Sequence, residues 1–217
     1  MPTISNNEIL NIERYIKSND VVFDVGACVG EWTNEVLQCH EDVVIHQFEP
    51  SPFSFEVLKT TNAIHNKLAL SNRIGQTCFY YYPSEPRLST EFRRSSELEM
   101  LHSLKPNEIV IDVTTIDEYC KERGILKINF LKIDVEGNEL FVLEGAKDML
   151  NEGRIDYVQF EYGACFYDAG ISFQQIWELL NSHGFKVYDE SSVEILHWRD
   201  FKTNMYVITG DCLAIKE

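Results

Sequence analysis

Short apolar runs rich in β-branched and aromatic residues alternate with stretches of helical periodicity along most of this 217-residue chain. This alternation constrains the fold most, because parallel strands buried on both faces read as continuous apolar runs and need helical crossovers between them. It predicts an α/β fold, a doubly wound and mostly parallel sheet with helices on both faces. The strands are expected at Val21–Val25, Val43–Phe48, Lys67–Leu70, Ile128–Ile133 and Tyr157–Phe160.

Apolar spacing and capping residues mark the helices. A leading helix is predicted over residues 6–17, where Ser5 and Glu8 are spaced as a capping box. The crossover helices are expected at Glu31–Gln38, Phe53–Thr60, Ile116–Arg123, Glu139–Leu150 and Phe173–His183.

The alternation breaks in two places. Cys78–Tyr82 and Ile109–Val113 predict an extra strand pair around a polar stretch, residues 83–107, which we expect to be a functional loop. Near the C-terminus, further strand-like runs predict an antiparallel sheet edge. These runs are Phe185–Tyr188, Ile195–Trp198 and Met205–Ile208. Residues 1–217 have the length of one domain with a sizeable core.

The chain is strongly acidic, with 19 Lys and Arg against 35 Asp and Glu and a net charge of −16. Such a surface repels nucleic-acid backbones and anionic membranes, so neither is expected as a partner. No run approaches the ~20 apolar residues of a membrane span, and no signal-peptide pattern opens the sequence. The six cysteines form no C-x-x-C pair, which favours reduced thiols and a cytoplasmic location.

The first predicted strand runs into the turn Asp24-Val-Gly-Ala-Cys-Val-Gly30, just before a predicted helix. Gly26 and Gly30 allow the backbone to approach a ligand, and Asp24 can orient the turn or accept a hydrogen bond from an ammonium group. By itself the motif fits equally well a tight turn that needs glycine for its geometry alone.

Glu49 adds a second signal at the end of the second predicted strand, twenty-five residues after Asp24. A carboxylate at this place can accept two hydrogen bonds from a ribose diol, so the pair indicates an adenosine-containing cofactor. A nicotinamide dinucleotide would use the same geometry, but its G-x-G-x-x-G turn is not the glycine spacing found here. S-adenosylmethionine is therefore favoured.

Three acids close the next two central strands: Asp134 and Glu136 follow one, and Glu161 ends the other. Because the carboxyl ends of neighbouring parallel strands meet at the ligand crevice, we expect these acids to surround the reacting group as catalytic residues. Glu136 has an alternative role as a cap of the following helix. Lys132 is expected either to pair with the acids or, if burial lowers its pKa, to act as a base.

Five blocks, in this order and spacing, resemble the FkbM family of methyltransferases over roughly residues 20–162. The resemblance implies the class I methyltransferase fold, which is Rossmann-like, and S-adenosylmethionine-dependent methylation, mostly of hydroxyl oxygens on sugars and polyketides. The blocks are Asp24-Val-Gly-Ala-Cys-Val-Gly30, Phe48-Glu-Pro50, Leu68-Ala-Leu-Ser71, Thr115-Ile-Asp117 and Leu131-Lys-Ile-Asp-Val-Glu-Gly137.

The resemblance also implies contacts along the whole cofactor. Glu49 would bind the ribose, and the segment from Ala69 to Ser71 would lie near the adenine. Asp24, Gly26 and Gly30 would line the methionine portion, and Asp134 would face the acceptor. Ala27 and Asp134 are also expected among the residues that bind the cofactor. The sequence departs from the family in the loop, where a frequent Ser-Ser-Leu block is replaced by Arg87-Leu-Ser-Thr90, so the acceptor is poorly constrained.

Arg87 and Arg94 in the loop, together with nearby tyrosines, suit an anionic, ring-bearing acceptor such as a nucleotide-linked sugar. Tyr162, next to Glu161, is a further candidate for acceptor binding. The alternative is that Arg93 and Arg94 pair with neighbouring glutamates on an exposed helical face.

A hydroxyl is a poor nucleophile at neutral pH, so its proton must be removed during methyl transfer. Either a carboxylate takes it, or a divalent cation such as Mg or Mn, held by Asp134 and Glu161, lowers the pKa of the hydroxyl. The histidines have no spacing typical of a transition-metal site.

The sequence thus predicts an S-adenosylmethionine-dependent O-methyltransferase acting on a sugar hydroxyl, in a nucleotide-linked sugar or a glycan precursor. Three alternatives stay open: an acceptor that is a polyketide or another small natural product, a cofactor- or glycan-binding domain without turnover, and a nicotinamide oxidoreductase. The oligomeric state, including a homodimer, is also open.

Overall fold

The computed structural model describes residues 4–58, 62–95, 99–100, 103–201 and 209–217. The helices are α1 (Asn6–Tyr15), α2 (Glu31–Cys39), α3 (Pro52–Leu58), α4 (Ile116–Arg123), α5 (Glu139–Glu144), α6 (Lys147–Asn151), α7 (Cys165–Ala169) and α8 (Phe173–Ser182), with 3₁₀ turns at Pro86–Leu88 and Trp198–Asp200. The strands are β1 (Val21–Val25), β2 (Val44–Phe48), β3 (Ile64–Asn66), β4 (Ala69–Leu70), β5 (Gly75–Tyr81), β6 (Asn107–Thr114), β7 (Ile128–Ile133), β8 (Ile155–Gly163), β9 (Phe185–Tyr188) and β10 (Thr209–Lys216).

The central sheet has seven strands in the order β3-β2-β1-β7-β8-β10-β9. β1 pairs in parallel with both β2 and β7, and β7 pairs in parallel with β8. The strand order therefore reverses between β1 and β7, which is where open α/β sheets bind ligands. β10 lies antiparallel between β8 and β9. The predicted doubly wound fold with an antiparallel C-terminal part is confirmed.

Both faces of the central sheet are covered. Successive residues of β1 point to opposite sides, so Val22 packs in a cluster with Ile12 of α1 and Trp32 of α2. Phe23 packs on the other side, in a larger cluster that includes Ile116 of α4. Because β1 is buried on both faces, its sequence is a continuous run without a regular alternation of apolar and polar residues. The observed strand has the predicted bounds, Val21–Val25.

The third strand of the central sheet is β3. Of the predicted run Lys67–Leu70, only Ala69–Leu70 forms a strand, β4, and its predicted place in the central sheet is wrong. β3 pairs in parallel with β2 through Asn66, whose buried amide donates to the Gln47 carbonyl oxygen at 2.9 Å. β4 instead joins β6 and β5 in a separate three-stranded sheet. The strands predicted on either side of the polar loop are present as β5 and β6, paired antiparallel.

The single helix predicted at Glu139–Leu150 is wrong, because it divides into α5 and α6 at Gly145. A Cβ at Gly145 would lie 2.1 Å from the Ser71 carbonyl oxygen, so the backbone of the small sheet touches the helix at this point. The Asp117 carboxylate then accepts from the backbone N–H groups of Asp148 (2.8 Å) and Met149 (3.0 Å) and starts α6.

The C-terminal predictions had mixed outcomes. The strand predicted at Phe185–Tyr188 is confirmed as β9. The strand predicted at Ile195–Trp198 is wrong. The Ile195 carbonyl there accepts from Trp177 Nε1 at 2.9 Å, and a 3₁₀ turn begins at Trp198. Met205–Ile208 lies outside the described residues. The leading helix ends at Tyr15 instead of residue 17.

The six cysteines all carry free thiols. Among the helices described, none has the length and apolar character that crossing a bilayer requires.

Replacing Gly145 with Ala tests the contact between α5 and the small sheet. We expect the free energy of unfolding to fall by about 3 kcal/mol, because the added methyl group meets a main-chain oxygen that cannot move away cheaply. Gly124→Ala is the control, since open space surrounds it and only its left-handed backbone (φ +66°) costs about 1 kcal/mol. Urea denaturation measures both, and an equal loss in the two variants would contradict the proposed contact.

Candidate active site

A cavity of about 320 Å³ opens at the carboxyl ends of β1, β2, β7 and β8, a volume within the range of small-molecule sites. The sequence-predicted residues in its wall are Gly26, Ala27, Glu49, Arg87, Lys132, Asp134, Glu136 and Glu161. Asp24, Gly30, Ser71, Arg94 and Tyr162 do not line it. The cavity lies at the reversal of strand order, where the topology alone places a ligand site.

The turn after β1 brings two main-chain segments into contact. Gly26 has φ +82°, and a Cβ there would lie 1.8 Å from the Asp134 carbonyl oxygen. The N–H groups of Gly26 and Ala27 both donate to the Phe48 carbonyl, at 3.0 and 3.1 Å. Gly26 is therefore required by protein geometry, and Gly30, also at positive φ, begins α2. Gly26, Ala27 and Cys28 are the residues of this turn that line the cavity.

Glu49 is buried in the cavity wall and ties the β1 turn to the end of β2. One carboxylate oxygen accepts from the Cys28 N–H at 2.9 Å and the other from the Ser51 N–H at 2.7 Å. Burial raises the pKa of Glu49 to about 8, although the two backbone hydrogen bonds oppose this. Each oxygen keeps a second lone pair, so the carboxyl group can still accept from a ligand.

Lys132 lies between two carboxylates. Its Nζ is 3.4 Å from Asp24 Oδ1 and 3.3 Å from Asp134 Oδ2. Burial disfavours the charged amine, but Asp134 and Asp24 outweigh it and hold the pKa of Lys132 above its ordinary range. A base would need the opposite shift, so the structure supports the ion-pair role and not the base. Asp24 is fully buried behind the wall, where Thr33 Oγ1 also donates to it at 2.8 Å.

Asp134, Glu136 and Glu161 come together at the cavity, with one carboxylate oxygen from each lying within 4.8 Å of the others. Asp134 has 37% of its side chain exposed, against 19% for Glu136. Glu161 forms a side-chain hydrogen bond with Asp134. Burial first, and then the charges of Asp134 and Glu136, raise the pKa of Glu161 well above its ordinary range. This shift favours the protonated form of Glu161.

Glu136 does not cap α5, so that alternative is wrong. Its backbone is left-handed (φ +58°), and its carboxylate pairs with the Arg94 guanidinium at 2.5 Å. The N-cap residue of α5 is Asn138, which makes no side-chain capping hydrogen bond, and the turn before the helix is held by Glu139, to which sequence reasoning assigned no role. The buried Glu139 carboxylate accepts from the N–H groups of Val135 (3.0 Å) and Gly137 (2.9 Å). An acid at the first helical position after a glycine turn was the available signal.

The loop arginines have different environments. Arg94 is buried and pairs with Glu136, so the expected exposed pairing is wrong for it. Arg93 is exposed and does pair with a neighbouring glutamate, Glu99, at 3.1 Å. Arg87 lines the cavity and pairs with Glu31 at 2.7 Å, both side chains being about half exposed.

Two other predicted contacts lie outside the wall. The Tyr162 ring packs edge-on against Phe166, Phe173 and Phe201 in the core. Ser71 is fully buried next to the lining residue Leu70.

The N-terminal turn of α1 and the strand β10 add acids to the wall that the sequence did not indicate. Glu8 and Asp211 both line the cavity, and Ser5 Oγ donates to Asp211 at 3.3 Å across 206 residues of sequence. Asp211 faces Glu161 because β10 pairs antiparallel with β8. Burial, followed by the charges of Glu8 and Asp134, raises the pKa of Asp211 to about 7. No local signal marks this contact, because it depends on where β10 inserts.

Carboxyl groups dominate the charge of the wall. The cations in it are Lys132, held by Asp24 and Asp134, and Arg87, held by Glu31. A partly enclosed cavity with this balance attracts a positively charged ligand. The acids in the lining are Glu8, Glu31, Glu49, Glu91, Asp134, Glu136, Glu161 and Asp211.

Comparison with known families and proteins gives consistent matches. The model of the Methyltransferase FkbM domain matches residues 24–187. The 31-O-demethyl-FK506 methyltransferase FkbM of Streptomyces tacrolimicus is 30% identical over 203 residues, covering 81% of this chain and 76% of that protein. The hexuronic acid methyltransferase AglP of Haloferax volcanii is 27% identical over 153 residues, covering 68% of this chain and 58% of its own.

Among solved structures, the precorrin-6y C5,15-methyltransferase of Geobacter metallireducens superimposes with a TM-score of 0.50. The match covers 99% of this chain and 90% of that one at 11% sequence identity. At that identity the likeness concerns the fold alone, which agrees with the topology described above.

Replacing Lys132 with Met tests its role as an ion-pair partner. We expect the free energy of unfolding to fall by about 3–5 kcal/mol, because the fully buried Asp24 loses its cation. Lys121→Met is the control, since that lysine is exposed on α4 and its loss should cost less than about 0.5 kcal/mol. Urea denaturation at pH 7 compares the two, and equal stabilities would rule out the ion-pair role.

Proposed function

This chain belongs to the FkbM methyltransferase family and is an S-adenosylmethionine-dependent methyltransferase, and we propose that it methylates a hydroxyl oxygen of a sugar. The sugar is a nucleotide-linked sugar or a glycan precursor. The observation that carries the proposal is the meeting of Asp134 and Glu161 in one cavity with Glu49. That cavity has room for a cofactor next to groups able to take a hydroxyl proton.

The cavity wall fits the methyl donor in shape and charge. S-adenosylmethionine supplies an electrophilic methyl group on a cationic sulfonium when bound, and the excess of carboxylates in the wall complements that charge. Glu49 accepts from the ribose hydroxyls, while Ala27 and the backbone at Gly26 face the methionine end. Leu70 lies near the adenine.

In this proposal, some residues that were predicted to contact the cofactor lie behind the cavity wall and support it. Asp24 holds Lys132, Gly30 starts α2, and Ser71 supports Leu70 from a fully buried position. Each keeps a lining residue in place without touching the ligand.

Proton removal is assigned to Asp134, which lines the cavity with 37% of its side chain exposed. A bound S-adenosylmethionine would supply the methyl group to the acceptor oxygen, and Asp134 would take the proton that the acceptor hydroxyl loses. Lys132, 3.3 Å away, keeps this carboxylate oriented. The raised pKa of Glu161 favours its protonated form, which can donate to Asp134.

A divalent cation is a second way to activate the hydroxyl. Asp134, Glu136 and Glu161 are close enough to share one, and such a cation would lower the pKa of a bound hydroxyl. Lys132 and Arg94 already balance two of these carboxylates, so proton transfer to Asp134 is the simpler mechanism. The cation stays a prediction that chelation tests.

Arg87 supports an anionic acceptor. It lines the cavity with about half of its side chain exposed, so it can exchange its bond to Glu31 for a phosphate or carboxylate of the substrate. The relative from Haloferax volcanii is named for a hexuronic acid, which is an anionic sugar. A second candidate acceptor is a polyketide hydroxyl, favoured by the relative named for 31-O-demethyl-FK506.

Glu49→Ala tests the cofactor assignment. We expect S-adenosylmethionine to bind about 10- to 100-fold more weakly, because the ribose loses its hydrogen-bond acceptor. Isothermal titration calorimetry measures this, with circular dichroism to verify that the fold survives the loss of the Cys28 and Ser51 contacts. The control is Glu85→Ala, an exposed loop acid outside the cavity wall. Equal affinity in Glu49→Ala and wild type would contradict the assignment.

Asp134→Asn tests the chemistry. We expect turnover to fall by about 100-fold or more, because the general base is lost, while S-adenosylmethionine still binds. Mass spectrometry of products from free sugars, nucleotide sugars, oligosaccharides and polyketide alcohols identifies the acceptor, with the exposed Asp148→Asn as control. Undiminished turnover would exclude Asp134 as the base. Methylation confined to non-sugar acceptors would exclude the sugar proposal, and activity unaffected by EDTA would exclude the cation.

A further inference from the structure

The loop segment 86–94 forms one wall of the cavity and is fastened to the turn that follows β7. It contributes Arg87, Ser89 and Glu91 to the lining. Thr90 Oγ1 donates to the Glu136 carbonyl oxygen at 2.8 Å, and Asn138 Nδ2 donates to Glu91 at 3.1 Å. The loop wall and the acid cluster are therefore attached to each other through main-chain and side-chain contacts.

Arg94 makes the strongest of these attachments although it does not line the cavity. The residue is only 4% exposed. Its Nη2 donates to Glu136 Oε2 at 2.5 Å, and its Nε donates to the Leu88 carbonyl at 3.2 Å. Its Nη1 lies 3.8 Å from Asp168 Oδ2 in α7. One buried guanidinium thus joins the loop, the β7 turn and α7.

The backbone around Arg94 is held as well. Its N–H donates to the hydroxyl of the buried Tyr82 at 3.2 Å. Arg94 is consequently fixed at both its backbone and its side chain, which lets it hold a partner in one orientation.

Glu136 needs such a partner. Its φ of +58° is a left-handed conformation that a residue with a Cβ adopts only at a cost, and that persists where surrounding contacts enforce it. Thr90 Oγ1 donates to the Glu136 carbonyl oxygen. The Glu139 carboxylate accepts from the N–H groups of Val135 and Gly137, on either side of Glu136. The direction of the Glu136 carboxylate is then set by its ion pair with Arg94, together with a side-chain hydrogen bond with Cys165.

From these contacts we infer that Arg94 is a positioning residue for methyl transfer, acting through Glu136. The guanidinium aims the Glu136 carboxylate at the cluster with Asp134 and Glu161, and in the same contact it secures segment 86–94 as a cavity wall. Arg94 touches neither the cofactor nor the acceptor, so the substrate-binding role that the sequence suggested for it is replaced by this one. The inference rests on the proposed placement of the cofactor in the cavity.

The test is a double-mutant cycle measured by S-adenosylmethionine binding, which needs no acceptor. We expect Arg94→Met to weaken binding about tenfold, because the turn and the loop wall both lose their common attachment. Arg94→Lys, which keeps the charge but not the planar fork, should recover part of this loss. Arg93→Met and Arg93→Lys are matched controls, because Arg93 is the adjacent arginine, exposed and paired with Glu99. They should bind as wild type does.

Coupling to Glu136 is the decisive measurement. If Arg94 acts through Glu136, the variant carrying both Arg94→Met and Glu136→Gln should bind no more weakly than Glu136→Gln alone. Met149→Ala, a core variant outside the cavity wall, shows how much affinity is lost through reduced stability alone and should keep wild-type affinity. If Arg94→Met does not fold, Arg94→Lys against Arg93→Lys makes the same comparison.

Three results would overturn the inference: wild-type affinity in the Arg94 variants, an equal loss in Met149→Ala, or losses from Arg94 and Glu136 that multiply in the double variant. These are distinct from failure of the cofactor placement. That failure would appear as binding that is indifferent to Glu49→Ala, whatever the behaviour of Arg94.

Discussion

The contact between Gly26 and the Asp134 carbonyl is the constraint on which the rest of the site depends. It joins the turn after β1 to the end of β7, and the Asp134 N–H adds a 2.9 Å hydrogen bond to the Val25 carbonyl. Because no side chain fits between these segments, the two strands end at the same level. Ala27 from one turn and Asp134 from the other therefore line a single cavity. Without this close approach of the two backbones, the two turns would separate and would no longer line one cavity.

Many acidic side chains lie in and around the cavity wall, and the protein stabilises them in two ways. Glu49 and Glu139 accept backbone N–H groups and so work as parts of the loop structure. Asp134 and Glu136 are balanced by Lys132 and Arg94. Burial without full compensation costs free energy, and proton uptake relieves it, which is why the pKa of Glu161 and Asp211 is raised. The charges of the wall are therefore arranged to complement a positively charged ligand.

The errors of sequence interpretation have a common cause. Apolar spacing runs through Gly145 as if α5 and α6 were one helix, because the break comes from the Ser71 carbonyl, which is distant in sequence. The same spacing does not show that Asn66, through its bond to the Gln47 carbonyl, places β3 beside β2. The sequence favours Lys132 as an ion-pair partner but leaves the role of a base open, and only Asp24 and Asp134 on either side of it decide between the two.

The sequence by itself determined the alternation of strands and helices, the glycine turn after β1, and the acids that end β2, β7 and β8, because each depends on residues that are neighbours in the chain. Only the tertiary structure decided which acids line the cavity and which support it, since burial and ion pairing depend on residues far apart in sequence. The insertion of β10 beside β8 brings Asp211 to Glu161, and the folding of the loop onto β7 brings Arg94 to Glu136. Such contacts leave no local pattern, because the free energy that selects them comes from packing the whole chain.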